Sequence, residues 1–267
     1  MTKGNQILLF LLGFILFTFS CQTTKNTIKK EKPTAFLSQD KLGNIYQINN
    51  MKITKLSSDL KPIQSNSIFS SGSISSFDSR NPLQLMLFYK QQQEIILLDN
   101  TLSETNKIGL LFFELIDLAC SSNRDNSFWL YSITTQSLIK TDKTGKITNR
   151  YQNIAQLVER DINPTQLIEY ENEVFLFDPN EGLFVFDLYG NYRKRIQLDN
   201  AEIVKFYQKN VYYRVKNSIY SYNLVSFDKK TEMALDVHFD DFAIGKDGMF
   251  VVKKGSIKKY DFKKNPQ

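Results

Sequence analysis

Residues able to do chemistry are few and far apart in this chain. The single histidine, His238, is followed by Asp240 and Asp241. One imidazole without cysteine or histidine companions makes a poor transition-metal site, because such sites take three or four N and S ligands. On a strand Asp240 and Asp241 point to opposite faces, so they form no carboxylate pair by themselves. The reading is a hydrogen-bonded structural histidine. The run from Asp178 to Gly182, DPNEG, has the composition of a calcium loop but not its alternating ligand spacing, and reads as a hairpin turn. None of the eleven glycines belongs to a G-x-S-x-G elbow, a phosphate loop or a dinucleotide fingerprint. Glu114, Asp117 and Glu169 are carboxylates available to a metal site, but nothing in their spacing makes them converge. Trp129, between Phe128 and Leu130, reads as core, and Cys120, in LIDLAC, as a small buried thiol. The expectation is no catalytic residue, no cofactor and no metal.

Cys21 carries a different kind of information. It follows the uncharged run Ile7–Ser20, with Lys3 in front. As a helix that run reaches about 21 Å, short of the roughly 30 Å of a bilayer core, so it suits a removed leader better than a permanent span. The segment Thr18-Phe19-Ser20-Cys21 resembles the lipobox of bacterial lipoproteins, in the loosened form typical of Bacteroidota. The resemblance covers the first 21 residues. It matches the usual Leu-Ala-Gly/Ser-Cys box at Ser20 and Cys21 and departs from it at Thr18 and Phe19. It implies a diacylglycerol on the Cys21 thiol, cleavage before it, and acylation of the new amino terminus. Ordinary signal cleavage after Ser20 is the competing reading. Residues Gln22–Thr27 contain no acidic cluster; the lipoprotein resemblance then implies the periplasmic face of the outer membrane instead of surface export.

What remains is long enough for one domain with a real core. Hydrophobic residues make up 42% and aromatics 13%, with 21 Phe and 13 Tyr, a balance that favours strands. With Cys21 lipidated, Cys120 has no partner for an internal disulfide. The positive charge is concentrated late, where Lys246, Lys253, Lys254, Lys258, Lys259, Lys263 and Lys264 face only Asp247 and Asp261. Two readings stand open: a solvated strand edge and tail, or a candidate membrane-facing basic patch reinforcing the anchor together with Lys29 and Lys30. An exported protein is not expected to meet nucleic acid, and no small-molecule partner is indicated.

The element that must position these residues is a hairpin repeated six times, over Gly43–Ser57, Leu83–Asn100, Asn126–Asp142, Asn172–Asp187, Lys209–Asn223 and Asp247–Asp261. Equivalent positions Leu56, Leu98, Thr141, Phe186, Tyr222 and Tyr260 are separated by 42, 43, 45, 36 and 38 residues. A period near forty with β-rich units is the signature of a propeller. Flanking strands complete two blades: LIDLACSS and ITNRYQNI around the third hairpin, TQLIEY and YRKRIQL around the fourth. Ile154–Arg160 reads as a short helical turn between blades, stopped at Asn163-Pro164. Strands of five to seven residues are too short for a transmembrane barrel, which needs about 9–11.

The turns Asp142-Lys143-Thr144-Gly145 and Asp187-Leu188-Tyr189-Gly190 resemble those of NHL-, YWTD- and TolB-like six-bladed propellers. Ser58-Asp59-Leu60 and Asp99-Asn100-Thr101-Leu102 lack the glycine and read as eroded copies. The sixth hairpin leaves little chain for an outer strand, and Asn26–Lys30 is the candidate to supply one. The expected organisation is a signal peptide at 1–20, a lipidated tether and candidate closing strand at 21–32, an all-β six-bladed propeller of four-stranded antiparallel blades at 33–264, and a tail at 265–267. The expected function is a lipid-anchored binding or scaffold subunit, with a membrane and a cell-envelope protein as partners. The alternative is a periplasmic ligand-binding protein or a metal-dependent lactonase-like enzyme using the channel.

Overall fold

Runs such as Leu85–Tyr89, apolar at every position, have no polar face to turn to water, so a strand built from them must be covered on both sides. The computed structural model shows how. It describes residues 35–49, 52–67, 72–110, 114–122 and 124–261; Cys21, the Asn26–Lys30 segment, Lys263 and Lys264 lie outside the described residues. The chain forms six antiparallel meanders. The first blade is β1 (Ala35–Gln39), β2 (Ile45–Asn49), β3 (Lys52–Leu56) and β4 (Pro62–Ser67). The second is β5 (Ser76–Asp78), β6 (Leu85–Tyr89), β7 (Glu94–Leu98) and β8 (Glu104–Gly109). The third is β9 (Leu118–Ser121), β10 (Phe128–Ser132), β11 (Ser137–Thr141) and β12 (Ile147–Tyr151). After the short helix α1 (Ile154–Leu157) come β13 (Gln166–Tyr170), β14 (Glu173–Asp178), β15 (Gly182–Asp187) and β16 (Tyr192–Ile196). The fifth blade is β17 (Ile203–Tyr207), β18 (Asn210–Val215), β19 (Ser218–Asn223) and β20 (Lys229–Ala234). The sixth has three strands among the described residues, β21 (Asp241–Gly245), β22 (Gly248–Lys253) and β23 (Ser256–Tyr260). The protein is an all-β six-bladed propeller, and both pairs of flanking strands expected around the third and fourth hairpins are present.

The core is divided into six clusters, one between each neighbouring pair of blades. Alternation along β6 sends Leu85, Leu87 and Tyr89 against Tyr46, Ile48 and Ile53 of the first blade. It sends Met86 and Phe88 the other way, against Ala119, Phe128 and Leu130 of the third. The same device places Leu37, Ile45 and Leu56 against Ala243, Phe250 and Val252, so the sixth blade packs directly on the first. Outer strands face water and carry polar residues; β4 is exposed throughout.

Because every pairing is antiparallel, successive connections alternate between the two faces of the ring. Those joining first to second and third to fourth strands form what we term the turn face. Those joining second to third strands, with the connections between blades, form the crossover face, where the described chain begins at Ala35.

The turn between third and fourth strands keeps one geometry where its sequence had seemed eroded. Asp142 accepts the Thr144 and Lys146 amides at 2.8 and 3.1 Å, Asp187 those of Tyr189 and Asn191 at 2.9 Å, and Asp99 those of Thr101 and Ser103 at 2.8 and 2.9 Å. Ser57 Oγ does the same for Asp59 and Lys61, and Asn223 Oδ1 for Val225 and Ser226. A register shift in the third strand precedes all five turns. Gly145 and Gly190 meet the positive φ the turn demands, at 87° and 76°. Leu60, Leu102 and Phe227 adopt the same left-handed conformation at 62°, 63° and 65°, a placement that costs a non-glycine residue roughly 1–2 kcal/mol. Leu102 offsets that cost by being fully buried between the first two blades. Phe227, in a turn one residue longer, stays exposed.

Candidate functional site

The first strand of each blade lies innermost, and its polar groups bind the next blade. Between blades one and two the Ser38 and Ser79 hydroxyls meet at 2.6 Å. Between two and three, Ser76 Oγ donates to the Ala119 carbonyl at 2.9 Å and the Ser121 amide donates to Asp78 Oδ2 at 3.2 Å. Arg80 Nε donates to Asp78 at 2.8 Å, while its Nη2 reaches the Ser121 carbonyl at 2.9 Å. Burial would push the Asp78 carboxyl up, but the paired Arg80 guanidinium and these hydrogen bonds outweigh it and hold the group below the usual carboxylate range. Between three and four, Trp129 Nε1 donates to Glu169 Oε2 at 2.8 Å, with Lys140 Nζ 3.8 Å from the same carboxylate and 4.7 Å over the indole ring. Burial lowers the Lys140 pKa despite Asp125 and Glu169 beside it. Between four and five, the Gln166 amide both accepts from and donates to the Val204 backbone.

The ring closes through Asp241. Its Oδ2 accepts the Leu37 amide at 2.8 Å and Lys205 Nζ at 3.1 Å, and Lys205 also donates to the Leu37 carbonyl at 3.1 Å. One buried carboxylate and one lysine thus join blades five, six and one. Gln47 Nε2 adds a bond to the Gly255 carbonyl at 2.7 Å.

The carboxylates singled out from sequence are kept apart. Glu114 holds Thr135 and Arg150. Asp117 pairs with Lys90 at 2.6 Å and accepts the Ile133 amide, and Glu169 serves Trp129 as described. Among the described residues no group of three His, Cys, Asp or Glu side chains is placed to hold a metal. Asp240 and Asp241 diverge as strand alternation requires, Asp240 accepting the Lys254 amide at 2.7 Å. Asp178–Gly182 is the expected hairpin turn between β14 and β15. Cys120 is buried, and burial pushes its thiol up to about 12. His238 is exposed in the connection between β20 and β21 with its ring stacked on Phe239.

Four of the late lysines lie on the last hairpin. Lys253 and Lys254 are exposed at the β22–β23 turn on the crossover face, whereas Lys258 and Lys259 lie along β23, Lys259 reaching over the Phe250 ring at 5.8 Å. Exposed apolar tips, which sequence reading passed over, form the other candidate surface: Leu42, Leu83, Tyr189, Val225 and Phe227. The signal was legible at Phe227, where an aromatic occupies the slot of the turn glycine.

Fold and inner strands together define a six-bladed β-propeller whose blades are locked by charged and amide side chains. No protein-family model and no curated protein matches the chain. Solved structures do. A streptogramin B lyase superposes with a TM-score of 0.58 at 9% identity, covering 87% of this chain and 84% of that one. The Pan2 WD40 domain of Neurospora crassa gives 0.56 at 8% identity, covering 86% and 76%. A protein of unknown function from Bacteroides caccae gives 0.52 at 10% identity, covering 70% and 77%. At such identities the likeness is one of fold alone, and the neighbours' differing roles show how many tasks the fold accepts.

Proposed function

We propose that the protein is a lipid-anchored propeller on the periplasmic side of the bacterial outer membrane. It acts as a protein-binding or scaffold subunit of a membrane-associated assembly and does no catalysis. The observation that carries this reading is the use made of the polar groups on and beside the inner strands. Asp78, Arg80, Glu169, Lys205 and Asp241, with Lys140 of β11, are engaged in bonds to protein groups, most of them between blades, so they serve as structural ties. A metal-dependent lactonase-like enzyme would need three or four carboxylates and amides meeting at one point, and Glu114, Asp117 and Glu169 each serve a different partner. What the ring presents on its two faces is the turns and crossovers, the surfaces through which a rigid ring meets other proteins.

The anchor rests on Cys21 directly after Ile7–Ser20. Metabolic labelling with a palmitate analogue tests it: the wild-type chain is expected to take up label in the membrane fraction, and Cys21→Ala to take up almost none. Equal labelling of the two would remove the anchor from this reading.

A further inference from the structure

Five blades have a fourth strand and the sixth, among the described residues, has three, so β23 presents an open edge. Side chains around that edge are less covered than their counterparts elsewhere. Three positions before Leu56, Leu98, Thr141, Phe186 and Tyr222 stand Ile53, Ile95, Leu138, Leu183 and Ile219, all fully buried. Their counterpart three positions before Tyr260 is Ile257, which faces the first blade and is only partly buried. The turns between third and fourth strands follow the same rule. Those of blades two to five are covered by the fourth strand of the blade before. Gln64 and Asn66 of β4 donate to the Thr101 and Leu102 carbonyls at 2.7 and 2.8 Å, Ile108 and Tyr151 lie against Gly145 and Gly190, and Lys194 reaches over Phe227. Under that cover Leu102 is fully buried. In the turn of the first blade Leu60 holds the same left-handed conformation but is only partly buried, and it packs, like Ile257, on the cluster between blades six and one.

The chain's own amino-terminal segment fits this edge in direction, spacing and chemistry. In each of the first five blades the fourth strand runs from the turn face to the crossover face and leads into the next blade's first strand. The described chain enters the first blade at Ala35 on the crossover face, so the residues just before it arrive as a fourth strand of blade six would. The five buried residues are opposed by Asn66, Ile108, Tyr151, Ile196 and Met233, four of them large and apolar. These precede the next inner strand by 10, 10, 15, 7 and 8 residues. Ile28, the one large apolar side chain among residues 22–34, precedes Ala35 by 7. Residues 261–267 offer only Phe262, which the turns of four or five residues in the other blades place before any fourth strand. We propose that Thr24–Lys29 completes blade six as its fourth strand, with Ile28 opposite Ile257 and covering Leu60. This register sets Thr27 against Lys258 and Lys29 against Ser256, so no lysine faces another. Two copies joined edge to edge with β23 in register would set Lys258 against its own copy, an arrangement that edge lysines oppose. The strand overlaps the Asn26–Lys30 candidate, fixes its register and leaves Cys21 three residues from the ring. The pairing itself does not depend on the lipid; the anchored reading adds only that the anchor leaves from the edge of blade six.

The test uses the full chain, purified in mild detergent. Lys29→Cys with Ser256→Cys sets two thiols across one proposed pair, where opposed Cα atoms about 4.5–5.5 Å apart suit a disulfide. Lys25→Cys with Ser256→Cys sets them four residues out of register, about 13 Å apart along the strand. Mild copper–phenanthroline oxidation is expected to join 29 to 256 within one chain about tenfold faster than 25 to 256, the joined peptides being identified by mass spectrometry. Equal rates would mean that the segment passes the edge without pairing, and a disulfide from 256 to 256 between chains would mean that a second copy occupies it; either overturns the proposal. Ile28→Asp is expected to lower the melting temperature by about 5 °C, because a carboxylate cannot enter the apolar site between Ile257 and Leu60. A variant that melts with the wild type overturns the docking of Ile28 even where the thiols join. Failure of the anchor is read separately: equal palmitate labelling of wild type and Cys21→Ala removes the lipid and leaves the pairing standing, whereas normal labelling without the 29–256 disulfide overturns the pairing alone.

Discussion

Asp241→Ala is expected to destabilise the propeller by about 3–5 kcal/mol, the cost of breaking a buried charge pair by removing one partner. In a domain of this size that lowers the melting temperature by about 10 °C. The carboxylate is buried and accepts both the Leu37 amide and Lys205, so its loss leaves a backbone donor without its acceptor and Lys205 without its counter-charge, held only by the Leu37 carbonyl, where blades five, six and one meet. Asp241→Asn is expected to fall between, since one amide oxygen can still accept from Leu37 while Lys205 loses its counter-charge. Urea unfolding followed by circular dichroism checks the series. A loss under about 1 kcal/mol for the alanine variant would mean that apolar packing between the first and last blades closes the ring without this tie.

Trp129→Ala is expected to cost a similar amount, about 3–5 kcal/mol, for a different reason. The indole is fully buried in the cluster between blades three and four, so truncation opens a cavity and also withdraws the donor from Glu169 and the ring from Lys140. Trp129→Phe separates the two effects. It keeps most of the volume and is expected to lose only about 1–2 kcal/mol with the hydrogen bond. Because Trp129 is the only tryptophan, unfolding of both variants is followed by far-UV circular dichroism. Equal losses for Ala and Phe would place the stabilisation in the Glu169 bond and not in packing.

These two residues mark where the sequence could be read and where it could not. Blade number, the hairpins and the flanking strands of blades three and four were legible because strands covered on both faces are written as apolar runs at a steady interval. Trp129 was legible as core for the same reason. The Asp241 tie was not, since it joins residues 204 positions apart and the local pattern says only that Asp240 and Asp241 face opposite ways. The turns were half legible. The carboxylate, hydroxyl or amide oxygen at their start recurs, but leucine and phenylalanine at the left-handed position hide the repeat from any search for glycine. The late lysines are close in sequence, and how they share the hairpin is visible only in its register, which places Lys253–Lys254 at the turn and Lys258–Lys259 along β23. The surface tips were least legible, because a single exposed Leu or Tyr in a loop has no pattern until the topology puts it on a face.

The scaffold role is tested most directly by crosslinking in intact cells through the crossover-face amines Lys216, Lys253 and Lys254, then purification in mild detergent and identification of what is attached. The account predicts the same envelope protein in repeated preparations, joined at these lysines and lost when the three are replaced by arginine. A chain recovered only as a monomer, with no reproducible crosslinked partner, would contradict it.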